Sequence, residues 1–201
     1  SGELQLWEIA PMYSALAAEL GFIFLQACVL EVNELERKLI TTSKTELTYS
    51  QLVISTGLTT DYSSVEDLEK YAYGFSNLTD LLRIKKLISL IDNSGKSKHP
   101  LVICGAGPTG VELACKVSDL VNNQMEIYLL DKGSEVLSKS RSFNREKAMK
   151  SISDRNIKLY LEHYIKSINR TSLELSKTDN PIGKPLTINY SDLIWTAGLK
   201  P

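Results

Sequence analysis

Little in this chain advertises a chemistry through rare residues. Only three cysteines occur in 201 residues, and Cys28, Cys104 and Cys115 form neither a C-x-x-C pair nor a zinc spacing. That excludes a disulfide scaffold, and scattered thiols in odd number suit a reducing compartment. His99 and His163 have no ligand-spaced partner, so both read as structural or exposed and no metal site is expected. An excess of one charge is also missing: 23 Lys and Arg stand against 24 Asp and Glu. Nothing therefore points to nucleic acid or an acidic surface as partner. No apolar run approaches the roughly 18 residues of a spanning helix. The chain opens on Ser1-Gly2-Glu3, without an initiator Met or a basic signal region, and reads as a piece cut from a longer protein.

What is present falls into two patterns. In the first, a helix is expected within residues 3–21, with Gly21 able to end it. Short β-type runs follow at 22–32, 38–42, 46–48 and 52–55, separated by polar stretches, as in an antiparallel meander. Residues 59–74 are polar, with turn chemistry around Asp61 and Ser63, and read as a linker. A helix is expected over 78–91, with Asn77 as N-cap. In the second pattern, Leu101–Cys104 is apolar throughout, as in a strand buried on both faces. A helix over 108–121, a strand over 127–130, a helix over 142–153 and a strand over 157–160 follow. The tail (164–168, 172–176, 186–190 and 193–195) alternates like a small antiparallel sheet. The expected fold class is α/β: a Rossmann-like parallel sheet with an attached segment of antiparallel strands.

Between the first buried strand and its helix lies Gly105-Ala106-Gly107-Pro108-Thr109-Gly110, a G-x-G-x-x-G loop. Alone this pattern is weak, but here it follows a strand and opens a helix, as dinucleotide binding requires. Gly105 would permit the tight turn, Gly107 the approach of a pyrophosphate, and Gly110 close helix–strand packing. Pro108 suits the first helical turn, and the helix N-terminus offers N–H groups and partial positive charge to phosphates. Asp131 lies 21 positions after the last glycine, at the end of the next strand. A carboxylate there accepts from a ribose hydroxyl and repels a 2′-phosphate, which favours NADH. Lys132 could pair with such a phosphate, so NADPH stays open. Glu112, just past the loop, allows two readings: an offset to the helix dipole, or a carboxylate facing the nicotinamide or a flavin edge.

The stretch Leu101 to Ala114 resembles the second nucleotide motif of the type II NADH:quinone oxidoreductases, within the pyridine nucleotide–disulfide oxidoreductase superfamily. Two further motifs agree. Thr48-Tyr-Ser-Gln-Leu-Val-Ile-Ser-Thr-Gly57 resembles the stretch where such chains leave the flavin domain, although Ser50 and Ser55 stand where Asp and Ala are usual. Leu193-Ile-Trp-Thr-Ala-Gly-Leu-Lys-Pro201 resembles the stretch where they return. The opening, Ser1 to Pro11, is similar to the cyanobacterial and plastid branch.

The resemblance implies that residues 1–58 are the trailing part of an FAD-binding domain, 59–74 a linker and 75–201 an NAD(P)H-binding domain. It implies hydride transfer from NADH to FAD and electron passage to a quinone in the full-length enzyme, with this piece inactive alone. Glu112 would lie near nicotinamide and flavin, Ala197 and Gly198 would line the nicotinamide side, and Thr56 and Gly57 would lie near the flavin. The superfamily's redox cysteine pair is absent, which agrees with direct flavin-to-quinone transfer. Peripheral attachment to a thylakoid or plasma membrane and a homodimer are compatible with it. Two other functions remain: a flavin reductase with a protein or soluble acceptor, and a regulatory nucleotide-binding module.

Overall fold

Leu101, Val102, Ile103 and Cys104 are all buried because consecutive side chains enter two different cores. Leu101 and Ile103 pack with Ala114, Val117, Val121, Leu129 and Ile152. Val102 and Cys104 pack with Leu130, Ile165, Leu173 and Trp195. A strand buried on both faces has no polar face to present, hence the continuous apolar run. The computed structural model describes residues 10–94, 97–122 and 124–201, and of residues 92–94 the backbone alone.

The chain divides into two units, Ser1–Thr56 and Gly57–Pro201. In the first, helix α1 (Tyr13–Leu20) ends on Gly21, whose φ of 75° suits a residue without Cβ. Strands β1 (Val29–Asn33), β2 (Lys38–Thr41) and β3 (Glu46–Thr48) form an antiparallel meander in that order. The expected runs at 22–32 and 52–55 are largely not strands: pairing begins only at Val29, and Leu52–Ser55 is irregular. Their side chains lie exposed, Ile23 at 96% and Val53 at 86%. β-type residues form a strand only against a partner edge, and no described strand offers them one. Residues 3–9 of the expected first helix lie outside the described residues.

The second unit holds a parallel sheet in the order β5-β12-β6-β7-β8: Ala72–Tyr73, Asp192–Trp195, Leu101–Cys104, Ile127–Leu130 and Lys158–Tyr160. Helices α3 (Leu78–Ser94), α4 (Pro108–Val121) and α5 (Ser142–Asp154) bring Ile84, Val117 and Ile152 to one core. An antiparallel sheet of β9 (His163–Ile168), β10 (Ser172–Lys177) and β11 (Leu186–Asn189) brings Ile165, Leu173, Leu175 and Ile188 to the other. The layers are therefore helix, parallel sheet, antiparallel sheet.

Two expectations need correction. The stretch read as a linker, 59–74, is built into the second unit. It carries β4 (Thr59–Thr60), paired with β13 (Leu199–Lys200), then helix α2 (Leu68–Tyr71) and the sheet edge β5. Leu68 is only 1% exposed. Its polar composition reflects alternation around a few anchoring residues, not solvation along its length. Second, the run at 193–195 does not join the tail sheet. As β12 it enters the parallel sheet between β5 and β6, because Leu193, Ile194 and Trp195 are all buried. The other elements begin and end within a few residues of where the pattern puts them, and Asn77 caps α3 by accepting the Asp80 N–H at 3.0 Å.

Candidate functional site

Parallel strands direct their carboxyl ends to one side of a sheet, and ligands collect where neighbouring crossovers diverge. Here β6 is followed by β7 on one side, while β12 enters on its other side much later in the chain. A cavity of about 750 Å³ opens at the ends of these three strands, at Cys104, Leu130 and Trp195. Its floor is Gly105 to Pro108. Asp131, Lys132, Glu135 and the segment 137–140 form one wall. His163, Tyr164 and Ile165 form another, and Thr196, Ala197, Ser64 and Val65 complete it.

The glycines of the loop are not equivalent. Gly105 has a φ of 107°, which L side chains avoid, and a Cβ there would lie 2.6 Å from Thr196 Oγ1. Gly110 packs directly on the turn, so a Cβ there would collide with the Gly105 carbonyl oxygen. Gly107 is different: its φ is −74°, and a Cβ would find no atom within 4 Å. It leaves open space at the mouth of a helix. Gly107 is the N-cap of α4 with no side-chain cap, and Pro108 occupies the first turn. The first N–H groups of a helix have no intrahelical acceptor, so at this end they are left for a bound anion. Thr109 is exposed and outside the cavity lining.

Hydrogen bonds hold the loop from three sides. Gly105 N–H donates to the Leu130 carbonyl at 2.7 Å, and Leu137 N–H donates to the Ala106 carbonyl at 2.8 Å. Thr196 donates its hydroxyl to the Cys104 carbonyl at 2.7 Å. Asp131 accepts the Ala106 N–H at 2.6 Å and the Gly133 N–H at 2.7 Å, one on each carboxylate oxygen. Asp131 thus anchors the loop before any ligand is considered, a task its spacing alone did not reveal. Beside it, burial and the Asp131 charge push the Cys104 thiol far up, so Cys104 is a protonated core residue.

Glu112 is exposed and outside the cavity lining. It also lies beyond the first turn of α4, which contains no acidic residue. The dipole reading therefore loses its basis, since that effect fades within the first turn. Ala197 lines the cavity, whereas Gly198 does not: its carbonyl accepts the Asp61 N–H at 3.0 Å beside the β4–β13 pair. Thr56 ends the first unit, Gly57 opens the second, and neither lines the cavity. Among the described residues, no group of three His, Cys, Asp or Glu is placed to hold a metal.

Pattern reasoning missed several members of the site. His163 and Lys139 lie far from the loop in sequence, and no local motif signals them. Thr196 could have been found, since it stands in the quoted Trp-Thr-Ala-Gly stretch and fastens β12 to the loop.

Residues 13–201 match the family described as pyridine nucleotide-disulphide oxidoreductase. The chain belongs to this family. It is 31% identical over 200 residues to the demethylphylloquinone reductase NdbB of Synechocystis sp., covering 98% of this chain and 48% of that protein. It is 27% identical over 226 residues to the alternative NAD(P)H-ubiquinone oxidoreductase C1, chloroplastic/mitochondrial, of Arabidopsis thaliana, covering 100% and 43%. Both relatives agree with the resemblance to type II NADH:quinone oxidoreductases read from the motifs. The fold matches that of NDH2 from Plasmodium falciparum, solved in complex with NADH, with a TM-score of 0.75 at 22% identity over 87% of this chain and 40% of that one. The chain spans a little under half the length of these relatives.

Proposed function

We propose that the second unit binds NADH, and that it is the pyridine-nucleotide portion of a flavin-dependent NAD(P)H:quinone oxidoreductase. The observation that carries this is the empty space over Gly107. A loop anchored on three sides leaves one glycine facing a cavity at an uncapped helix N-terminus, a cradle for a pyrophosphate. Asp131 and Lys132 stand where the adenosine ribose of such a ligand would lie, and Ala197, small, leaves room at the end of β12. Names of the relatives, a demethylphylloquinone reductase and an NAD(P)H-ubiquinone oxidoreductase, support a quinone acceptor, and membership of the family supports FAD as the second cofactor in the full-length protein. No helix among the described residues is long and apolar enough to cross a membrane.

Hydride and electron transfer are chemistry that nicotinamide and flavin supply when bound. This chain's residues hold and orient. The Gly105 to Gly110 loop fixes the pyrophosphate, the wall at Trp195 to Ala197 limits where the nicotinamide end can go, and Glu112, exposed on α4, would face the flavin side and handle protons there.

Calorimetric titration of the chain with NADH tests the binding step. Gly107→Val should remove measurable affinity by filling the cradle, while the melting temperature changes little. Unchanged affinity would take the loop out of the site.

A further inference from the structure

His163 opens β9 beside Asp131, and its role has no counterpart in the loop motif. Its backbone N–H donates to the Asp131 carbonyl at 3.0 Å, and it lines the same cavity as Asp131, Lys132 and Lys139. The ring is held in place. Nδ1 lies 2.6 Å from the Leu161 carbonyl oxygen, and the ring meets Tyr160 edge-on, centroids 6.2 Å apart at 89°. A carbonyl only accepts, so Nδ1 carries the proton. Nε2 is left as the ring's second polar atom, with no partner among the described residues. On a neutral ring it accepts; on a protonated ring it is a cationic donor.

We propose that His163 is a specificity-determining contact for the adenosine end of the dinucleotide: Nε2 accepts from a ribose hydroxyl of NAD(H) when neutral and donates to the 2′-phosphate of NADP(H) when protonated. The proposal rests on the nucleotide-site reading above. Asp131 ends the strand after the glycine loop, which is where that ribose lies in such folds, and His163 is hydrogen-bonded to it. Both Asp131 carboxylate oxygens already accept backbone N–H groups, which makes a second acceptor at this rim useful.

Charged groups of both signs surround the ring. Lys132 and Lys139 come from the segment after β7, and Lys177 stands directly across on β10. Asp131 and Glu135 from that same segment, and Glu162 next in sequence, oppose them. Arg145 on α5 already pairs with Glu135 at 3.5 Å, and the Tyr160 ring and the buried Cys104 complete the surroundings.

The test is calorimetric titration of the chain with NAD⁺ and with NADP⁺, both acid-stable, from pH 8.5 to 5.5, for wild type and His163→Gln. The wild-type preference should move toward NADP⁺ by about tenfold as pH falls, the size of one charge-assisted hydrogen bond. In H163Q it should stay flat or move the other way, because the 2′-phosphate itself gains a proton near pH 6. An independent reading is the imidazole titration by NMR, which is simple with two histidines: NADP⁺ should raise the His163 pKa and NAD⁺ should not. If both nucleotides bind but wild type and H163Q shift alike, or NADP⁺ leaves the His163 titration unmoved, His163 has no such role and the nucleotide site stands. If neither nucleotide binds at any pH, both readings fall.

Discussion

Gly107 and Gly110 show how a single residue separates ligand binding from folding. Both belong to one loop, three positions apart. A Cβ at Gly107 meets nothing within 4 Å, at a φ that any residue adopts. A Cβ at Gly110 runs into the Gly105 carbonyl. Gly107→Ala should therefore leave thermal stability unchanged or slightly raised, since the unfolded chain loses freedom, while NADH affinity falls. Gly110→Ala should lower the melting temperature by several degrees, because backbone must move, and lose affinity with it. Thermal denaturation of the two variants side by side distinguishes them; equal stability loss would contradict the geometry. The pattern G-x-G-x-x-G was legible in sequence, and so were the separate roles expected of Gly107 and Gly110; the structure adds what a Cβ at each would meet.

Elements join through a few anchoring groups, and Tyr190 is one. It lies between β11 and β12, is 3% exposed, and donates its hydroxyl to the Asn169 carbonyl at 2.6 Å in the turn joining β9 and β10. Burial, with lesser contributions from Tyr71 and Asp192, pushes the phenol up to about 12. The folded state thus keeps this proton through a range where the unfolded chain has released it. Its contribution is complete below the ordinary phenol value near 10 and is lost as pH rises through about 12. Urea denaturation between pH 9 and 11.5 should show stability falling with pH, less steeply in Tyr190→Phe. At pH 7 that variant should cost about 1 kcal/mol for the lost hydrogen bond. A variant with the wild-type alkaline slope would remove Tyr190 as the source. The parallel strands were readable as elements because burial on both faces leaves a continuous apolar run. β12 was not assigned to the right sheet, since an apolar run of three residues carries no information about its neighbour. Residues 59–74 misled for the opposite reason: two-residue strands and a one-turn helix are held by pairing and a buried Leu68, which polar composition conceals.

Across the whole molecule, every residue lining the proposed nucleotide cavity falls between Ser64 and Ala197, inside the second unit. Residues 57–201 expressed alone should therefore bind NADH with the affinity of the full 201-residue chain within about twofold, an energy difference under 0.5 kcal/mol. A larger loss in calorimetry would mean that the first unit contributes to the site. The first unit follows different physics. Its strands are short, and many of its apolar side chains, such as Ile23, Val53 and Ile54, lie exposed. Its sequence reads as more β-structure than the described residues form, because strand formation depends on a partner edge and not on the residues alone.

By itself the sequence determined the loop, the order of strands and helices around it, the family and the charge balance. These are local or cumulative properties: a glycine spacing, an apolar run, a periodicity, a motif. Only the tertiary structure decided that Asp131 is already engaged by Ala106 and Gly133, that Glu112 lies outside the cavity, that Thr196 fastens β12 to the loop, and that His163 lines the same cavity as the loop. These depend on contacts between residues up to about ninety positions apart. No period or spacing encodes them, because they arise only when the parallel sheet closes and brings the ends of β6, β7 and β12 together.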